Sequence, residues 1–136
     1  RLTWWLDVET DNTWSDNVGL NAADILGAVA YLRTQHVPVG IYSTRYQWGR
    51  IAGGLRVPDV PSWVAGAPNR AAAPSFCSAE RSFTGGPVVL VQWVEGDIDN
   101  DLLCQPLPTV AAPQPPANFV DQLLRDLLRS LGIQVP

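Results

Sequence analysis

The sequence predicts an α/β fold with a mostly parallel sheet, and three observations carry that expectation. Through the first hundred residues, β-prone segments alternate with segments of helical periodicity. The run from Pro87 to Trp93 is apolar at nearly every position, the pattern of a strand covered on both faces. The opening run Trp4-Trp5-Leu6-Asp7-Val8-Glu9-Thr10 sets two carboxylates two residues apart in a strand-forming context. Successive side chains on a strand alternate faces, so Asp7 and Glu9 share one face with Trp5, roughly 6–7 Å apart at about 3.3 Å per residue. Trp4, Leu6 and Val8 take the other. Acids held in such a strand are costly unless they are paired or used.

The elements follow in order. A polar stretch, Asp11 to Asn17, is rich in turn formers and separates the first strand from a helix expected over Asn21–Thr34, with Ile25, Val29 and Leu32 on one face. Pro38 to Thr44 reads as a second strand. A short helix over Tyr46–Ala52 is stopped by Gly53-Gly54. Pro61 to Ala65 is a third strand, and Gly66 to Gly86 is mostly loop. Pro87 to Trp93 is a fourth strand, closed by the acidic segment Glu95 to Asp101. If Ile41 and Val64 face the helices, then Tyr42 and Trp63 face the carboxylates. Four strands do not close a barrel, and an open parallel edge is a liability.

Residues 1–104 therefore read as one unit. Residues 105–117 hold five of the twelve prolines and read as a linker. Residues 118–136 form a tail in which Asn118 can cap a helix with a stripe of Phe119, Leu123, Leu124, Leu127, Leu128 and Leu131. That stripe has to bury itself on the barrel, on a partner or in a dimer. The mixed charges of Asp121, Arg125, Asp126 and Arg129 disfavour a membrane surface.

Composition excludes several function classes. The chain is 46% hydrophobic and 16% charged with a net charge of −4, so nothing recommends a nucleic-acid or anionic-membrane partner. No apolar stretch is long enough to span a bilayer. One histidine, two cysteines and no CxxC leave no metal-ligand set, and no organic cofactor motif is present. Asp97-x-Asp99-x-Asp101 hints at a calcium loop, but Leu102 stands where the EF-hand needs Gly and Pro108 where it needs Glu. Cys77 and Cys104 are either a disulfide or two buried thiols. The disulfide is favoured, and with it an exported, secreted or cell-envelope protein. The chain has no Met and opens almost directly on a strand, so a segment upstream of Arg1 is expected.

Taken together, Leu6-Asp7-Val8-Glu9, Val39-Gly40-Ile41-Tyr42-Ser43, Trp63-Val64-Ala65, and Val91-Gln92-Trp93 followed by Asp97-Ile98-Asp99 resemble the second half of glycoside hydrolase family 25, the lysozyme-type muramidases. The resemblance covers residues 3 to about 104. Cys77, Cys104 and the lead-in Phe83-Thr84-Gly85-Gly86-Pro87 point to a divergent, exported branch. The family's irregular α/β barrel implies a partial (β/α) barrel here. Its first strands, one carrying another active-site Asp, would lie upstream of Arg1, in an upstream fragment or partner chain that completes the barrel.

The resemblance implies hydrolysis of β-1,4 bonds in amino-sugar polymers such as peptidoglycan or a chitin-like glycan, with no cofactor. Glu9 would be the general acid. Asp7 would raise the Glu9 pKa by like-charge repulsion and stabilise charge or orient a substrate acetamide. Asp99 matches the acid after the last strand, with Asp97 as the competing match. Tyr42, Trp63 and Trp93 would offer rings and a hydroxyl to a sugar. Each has a plainer alternative: an ion pair of Asp7 and Glu9 with an arginine such as Arg45, core roles for the aromatics, and a solvated turn acid in Asp99. The alternative function is a catalytically inactive glycan-binding or structural envelope subunit that keeps the hydrolase fold.

Overall fold

The computed structural model describes residues 2–109. The tail helix over 118–136 and most of the Pro-rich linker lie outside the described residues. Five strands form one sheet in the order β1 (Trp4–Asp7), β2 (Val39–Ser43), β3 (Ser62–Ala67), β4 (Val88–Glu95), β5 (Ile98–Leu103). The first four run parallel and β5 returns antiparallel to β4. With helices α1 (Val18–Thr34) and α2 (Arg45–Ala52) the sheet forms a curled half-barrel.

The helix boundaries follow from their caps. The Asn17 side chain accepts from the backbone N–H groups of Gly19 and Leu20, so α1 starts three residues earlier than its apolar stripe suggests. Asn21, which the sequence offers as a helix start, is buried instead. Its amide donates to the carbonyls of Ser15 and Ile51 and accepts from the Ser15 N–H, which ties α1 to the loop before it and to the end of α2. Thr44 caps α2 by accepting from the Gln47 N–H at 3.1 Å. Gly53, at φ 63°, takes the left-handed conformation that ends it.

The core lies between these helices and the back of the sheet. Val8, Ile41, Val64 and Val91 stack across successive strands, against Ile25 and Val29 of α1 and Trp48 and Ile51 of α2. Each such side chain contributes about 1.5–3 kcal/mol on burial. The other, front face of the sheet is less covered than the apolar run Pro87–Trp93 predicts, because Leu90 and Gln92 are only half-buried there.

The acidic segment after β4 is not a closing loop, as the sequence suggests. Gly96, at φ 66°, and Asp97 make a tight turn, and residues 98–103 pair back along β4 from Glu95↔Ile98 to Leu90↔Leu103. Three consecutive polar residues, Asp99-Asn100-Asp101, disguise this strand, whose residues are all exposed or half-buried. It covers one edge of the parallel sheet, and β1 forms the other.

The Gly66–Gly86 segment contains two short 3₁₀ turns, Ala73–Cys77 and Ala79–Arg81. Cys77 and Cys104 form a disulfide, so the first turn is bonded to the chain just after β5. The lead-in to β4 is held by buried hydroxyls. Thr84 Oγ1 donates to the Val60 carbonyl at 2.7 Å, shares a 2.8 Å bond with Ser62 Oγ, and accepts from the Gly86 N–H. A Cβ on Gly86 would stand 2.3 Å from the Val60 carbonyl oxygen, so only glycine lets the two backbones approach.

Two stability tests follow. Replacing both cysteines by serine releases a loop of sequence separation 27. Urea unfolding should then show a loss of roughly 3–4 kcal/mol on the chain-entropy model. Gly86→Ala should cost more than about 2 kcal/mol in the same assay, since backbone rather than a side-chain tip blocks the new methyl.

Candidate active site

Strand alternation and register bring the front-face residues together. Trp5↔Gly40 and Asp7↔Tyr42 pair across β1 and β2, and Tyr42↔Trp63 pair across β2 and β3. β3 and β4 then pair Trp63↔Leu90 and Ala65↔Gln92, and β5 sets Asp101 opposite Gln92 and Asp99 opposite Val94. Asp7, Glu9, Tyr42, Trp63 and Asp99 thus share one face, joined by Trp5, Gln92 and Asp101.

Glu9 sits just past the end of β1, held by its neighbours. The Trp14 indole donates to the Glu9 carbonyl at 2.8 Å. The Gln47 side chain reaches across from the first turn of α2, where its Oε1 accepts from the Thr10 N–H and its Nε2 donates to Glu9 Oε1 at 3.3 Å. Burial raises the Glu9 pKa above the ordinary carboxyl value. The Gln47 amide pulls it back, and the neighbouring Asp7 carboxylate raises it again. Asn12 Nδ2 donates to Asp7 Oδ2 at 3.3 Å and to its carbonyl at 3.1 Å. Among the described residues neither acid is paired with Arg45 or any other arginine, and the ion pair present is Arg33–Asp59 on the surface, at 2.7 Å.

The aromatic residues form a connected floor. The rings of Trp5 and Trp63 meet edge-to-face at 5.5 Å, and those of Tyr42 and Trp63 at 5.0 Å. Trp5 lies over Gly40, where a Cβ would come within 2.2 Å of its ring, so glycine makes room for the indole. Tyr42 Oη donates to Gln92 Oε1 at 2.7 Å. Burial first, then the charges of Glu9, Asp99, Asp7 and Asp101, push the Tyr42 hydroxyl up to about 12, so it stays a donor at any physiological pH. Trp63 Nε1 donates to Asp101 Oδ1 at 2.8 Å. Burial raises the Asp101 pKa, the Trp63 bond opposes this, and Asp99 adds to the rise.

Two expected residues stand apart from this cluster. Trp93 is buried in the core on the opposite face with Val91, because it is one residue out of phase with Gln92. Its ring is therefore turned away from the acids. Asp97 lies in the exposed β4–β5 turn, whereas Asp99 stands on the strand facing the cluster. Sequence reasoning overlooked Gln47, Gln92 and Asp101. Asp101 follows Asp99 by two residues and so shares its face, a signal that needs β5 to be recognised as a strand. Gln47 depends on how α2 approaches β1, which no local pattern shows.

Comparison with known proteins places this geometry in context. The model of a family described as Lysozyme-like protein 1 matches residues 2–78. The chain is 31% identical over 96 residues to a protein of Dictyostelium discoideum named Probable GH family 25 lysozyme 3, an alignment covering 69% of this chain and 19% of that one. It is 36% identical over 83 residues to Counting factor 45-1 of the same organism, covering 60% of this chain and 27% of that one. The chain thus spans about a fifth to a quarter of the length of these relatives. No solved structure matches it.

The hydrogen bonds make two titration predictions. Gln47→Leu removes a donor to Glu9 and should raise the Glu9 pKa further; Trp63→Phe should do the same for Asp101. Carboxyl carbon chemical shifts followed against pH read both directly, and an unchanged midpoint would remove the assigned contact.

Proposed function

The chain belongs to the family described as Lysozyme-like protein 1 and carries a lysozyme-type domain like that of glycoside hydrolase family 25, and from that premise we propose that it supplies the acid-bearing part of a cell-wall glycoside hydrolase. The substrate is a β-1,4-linked amino-sugar polymer such as peptidoglycan. The observation that carries this reading is the pairing of Glu9, whose proton affinity is raised, with Asp7 on an aromatic-lined face free of any arginine partner among the described residues.

In this reaction Glu9 gives its proton to the glycosidic oxygen as the bond to the anomeric carbon breaks. The positive charge growing on the ring is supported by the carboxylate of Asp7, which can equally orient an acetamide. Water adds to the anomeric carbon, and its surplus proton returns to Glu9, directly or through solvent, restoring the acid. Trp5 and Trp63 offer edges and faces to the apolar C–H side of a sugar, and the Tyr42 hydroxyl and Gln92 amide offer hydrogen bonds. Asp99 and Asp101 close the far side of the face. No residue cluster for a metal stands among the described residues, and the chemistry proposed needs none.

The edge of β1 is read as the place where a further segment, of the same protein or of a partner, extends the sheet toward a barrel. Export is part of the same proposal and is supported by the disulfide. The second reading is a glycan-binding or structural envelope subunit that keeps the hydrolase fold without turnover.

Glu9→Gln in the complete protein should abolish release of reducing ends from peptidoglycan, a loss of at least about 100-fold, while glycan binding persists. Unchanged turnover would remove the acid assignment. Binding without turnover in the unmodified protein would favour the second reading. The pH profile gives an independent check. Asp7 raises the Glu9 pKa, so Asp7→Asn lowers it, and the alkaline limb of residual activity should move to lower pH.

A further inference from the structure

A cavity lies beside the β4–β5 hairpin, mostly behind the sheet, and reaches Asp101 at the margin of the acid face. Arg70, Pro74, Trp93, Glu95, Asp101 and Leu102 are among its lining residues, and its volume is about 400 Å³. That is the size range of small-molecule sites, about 300–1,000 Å³. Its placement follows from register. Val91, Trp93 and Glu95 alternate onto the back of β4, and β5 sets Leu102 opposite Val91 and Asn100 opposite Trp93. The 3₁₀ turn Ala73–Cys77 forms the facing wall.

Three features of this cavity suit a ligand. Trp93 is 7% exposed, and its indole N–H is the buried side-chain polar group that finds no acceptor among the described residues. Leaving such a donor unserved is destabilising, and an acceptor on a guest relieves it. Arg70 and Glu95 line the same cavity, yet the ion pair present among the described residues is Arg33–Asp59. Asp101 adds a second carboxylate to the lining, so one cation and two anions that form no ion pair with each other can take the opposite charges of one guest. Finally, the Cys77–Cys104 disulfide joins the turn after Pro74 to the chain after Leu102, so the two walls are covalently held.

We propose that this cavity binds a small zwitterion of the amino-acid class, a free amino acid or a dipeptide. Its carboxylate is taken by Arg70 and the Trp93 indole N–H, its ammonium by Glu95, and its apolar part rests on Pro74 and Leu102. The site goes beyond the proposed hydrolase reading and does not depend on it, since of its lining residues only Asp101 belongs to the acid face and neither Glu9 nor Asp7 lines it.

The six tryptophan indole N–H signals give a direct readout in a nitrogen–proton correlation spectrum of the full chain. L-alanine and L-alanyl-L-alanine are the zwitterionic probes. N-acetyl-L-alanine lacks the ammonium and L-alaninamide lacks the carboxylate. At least one zwitterion should shift a single indole signal saturably, and that signal should be missing in Trp93→Phe. The stronger of the two probes identifies the source as free amino acid or peptide. Both singly charged probes should bind at least about tenfold more weakly, as should the preferred zwitterion to Arg70→Gln. Arg70 is exposed, so this second variant keeps the fold and the test stands even if Trp93→Phe does not. No indole shift up to about 10 mM of either zwitterion would overturn the proposal. So would equal binding of a singly charged probe, or unchanged binding to Arg70→Gln. Because the readout is binding on the back face, its failure leaves the Glu9 hydrolysis experiment untouched.

Discussion

The pleat of the parallel sheet binds the core and the acid face to each other, because consecutive residues of one strand serve opposite sides. Val8 seals the core between Asp7 and Glu9, Ile41 does so beside Tyr42, and Val64 beside Trp63. A one-residue slip in any of these pairings would carry valines to solvent and carboxylates into the helices. Burial of the back face therefore holds the front-face side chains in register, and the hydrophobic effect positions the polar site without touching it.

The front face shows the cost of holding acids together. Four carboxylates, those of Asp7, Glu9, Asp99 and Asp101, act on one tyrosine, and among the described residues no arginine offsets them. Neutral donors are used instead: Gln47 on Glu9, Asn12 on Asp7 and Trp63 on Asp101. A salt bridge would have held each carboxylate firmly ionised. Amide and indole donors orient the oxygens and leave the proton affinity of Glu9 raised, the state that acid catalysis uses.

Covalent and backbone devices keep this half-barrel in shape on its far side. The Thr84 hydroxyl network and the contact of Gly86 with Val60 fix the entry to β4, and the disulfide fixes the exit from β5. Both ends of the β4–β5 hairpin are thus anchored, and that hairpin carries Gln92 and Asp101 on the front and Trp93 on the back. One hairpin supplies walls to two chemically different places because its residues alternate.

The strand–helix alternation, the shared face of Asp7 and Glu9, the facing positions of Tyr42 and Trp63 and the link between Cys77 and Cys104 were legible in the chain itself, since each rests on local periodicity or on residue chemistry. The resemblance to lysozyme-type glycoside hydrolases was legible from the same motifs. Tertiary structure decided the rest. β5 carried no apolar pattern because its residues are all exposed or half-buried, so Asp101 joined the site only when pairing with β4 appeared. Trp93 went to the back because Gln92, its neighbour, took the front to meet the Tyr42 hydroxyl. Gln47 reached Glu9 because Thr44 caps α2 at that angle. Periodicity tells which residues share a face of one element; which faces meet is set by packing between elements far apart in sequence, and that is where the site was assembled.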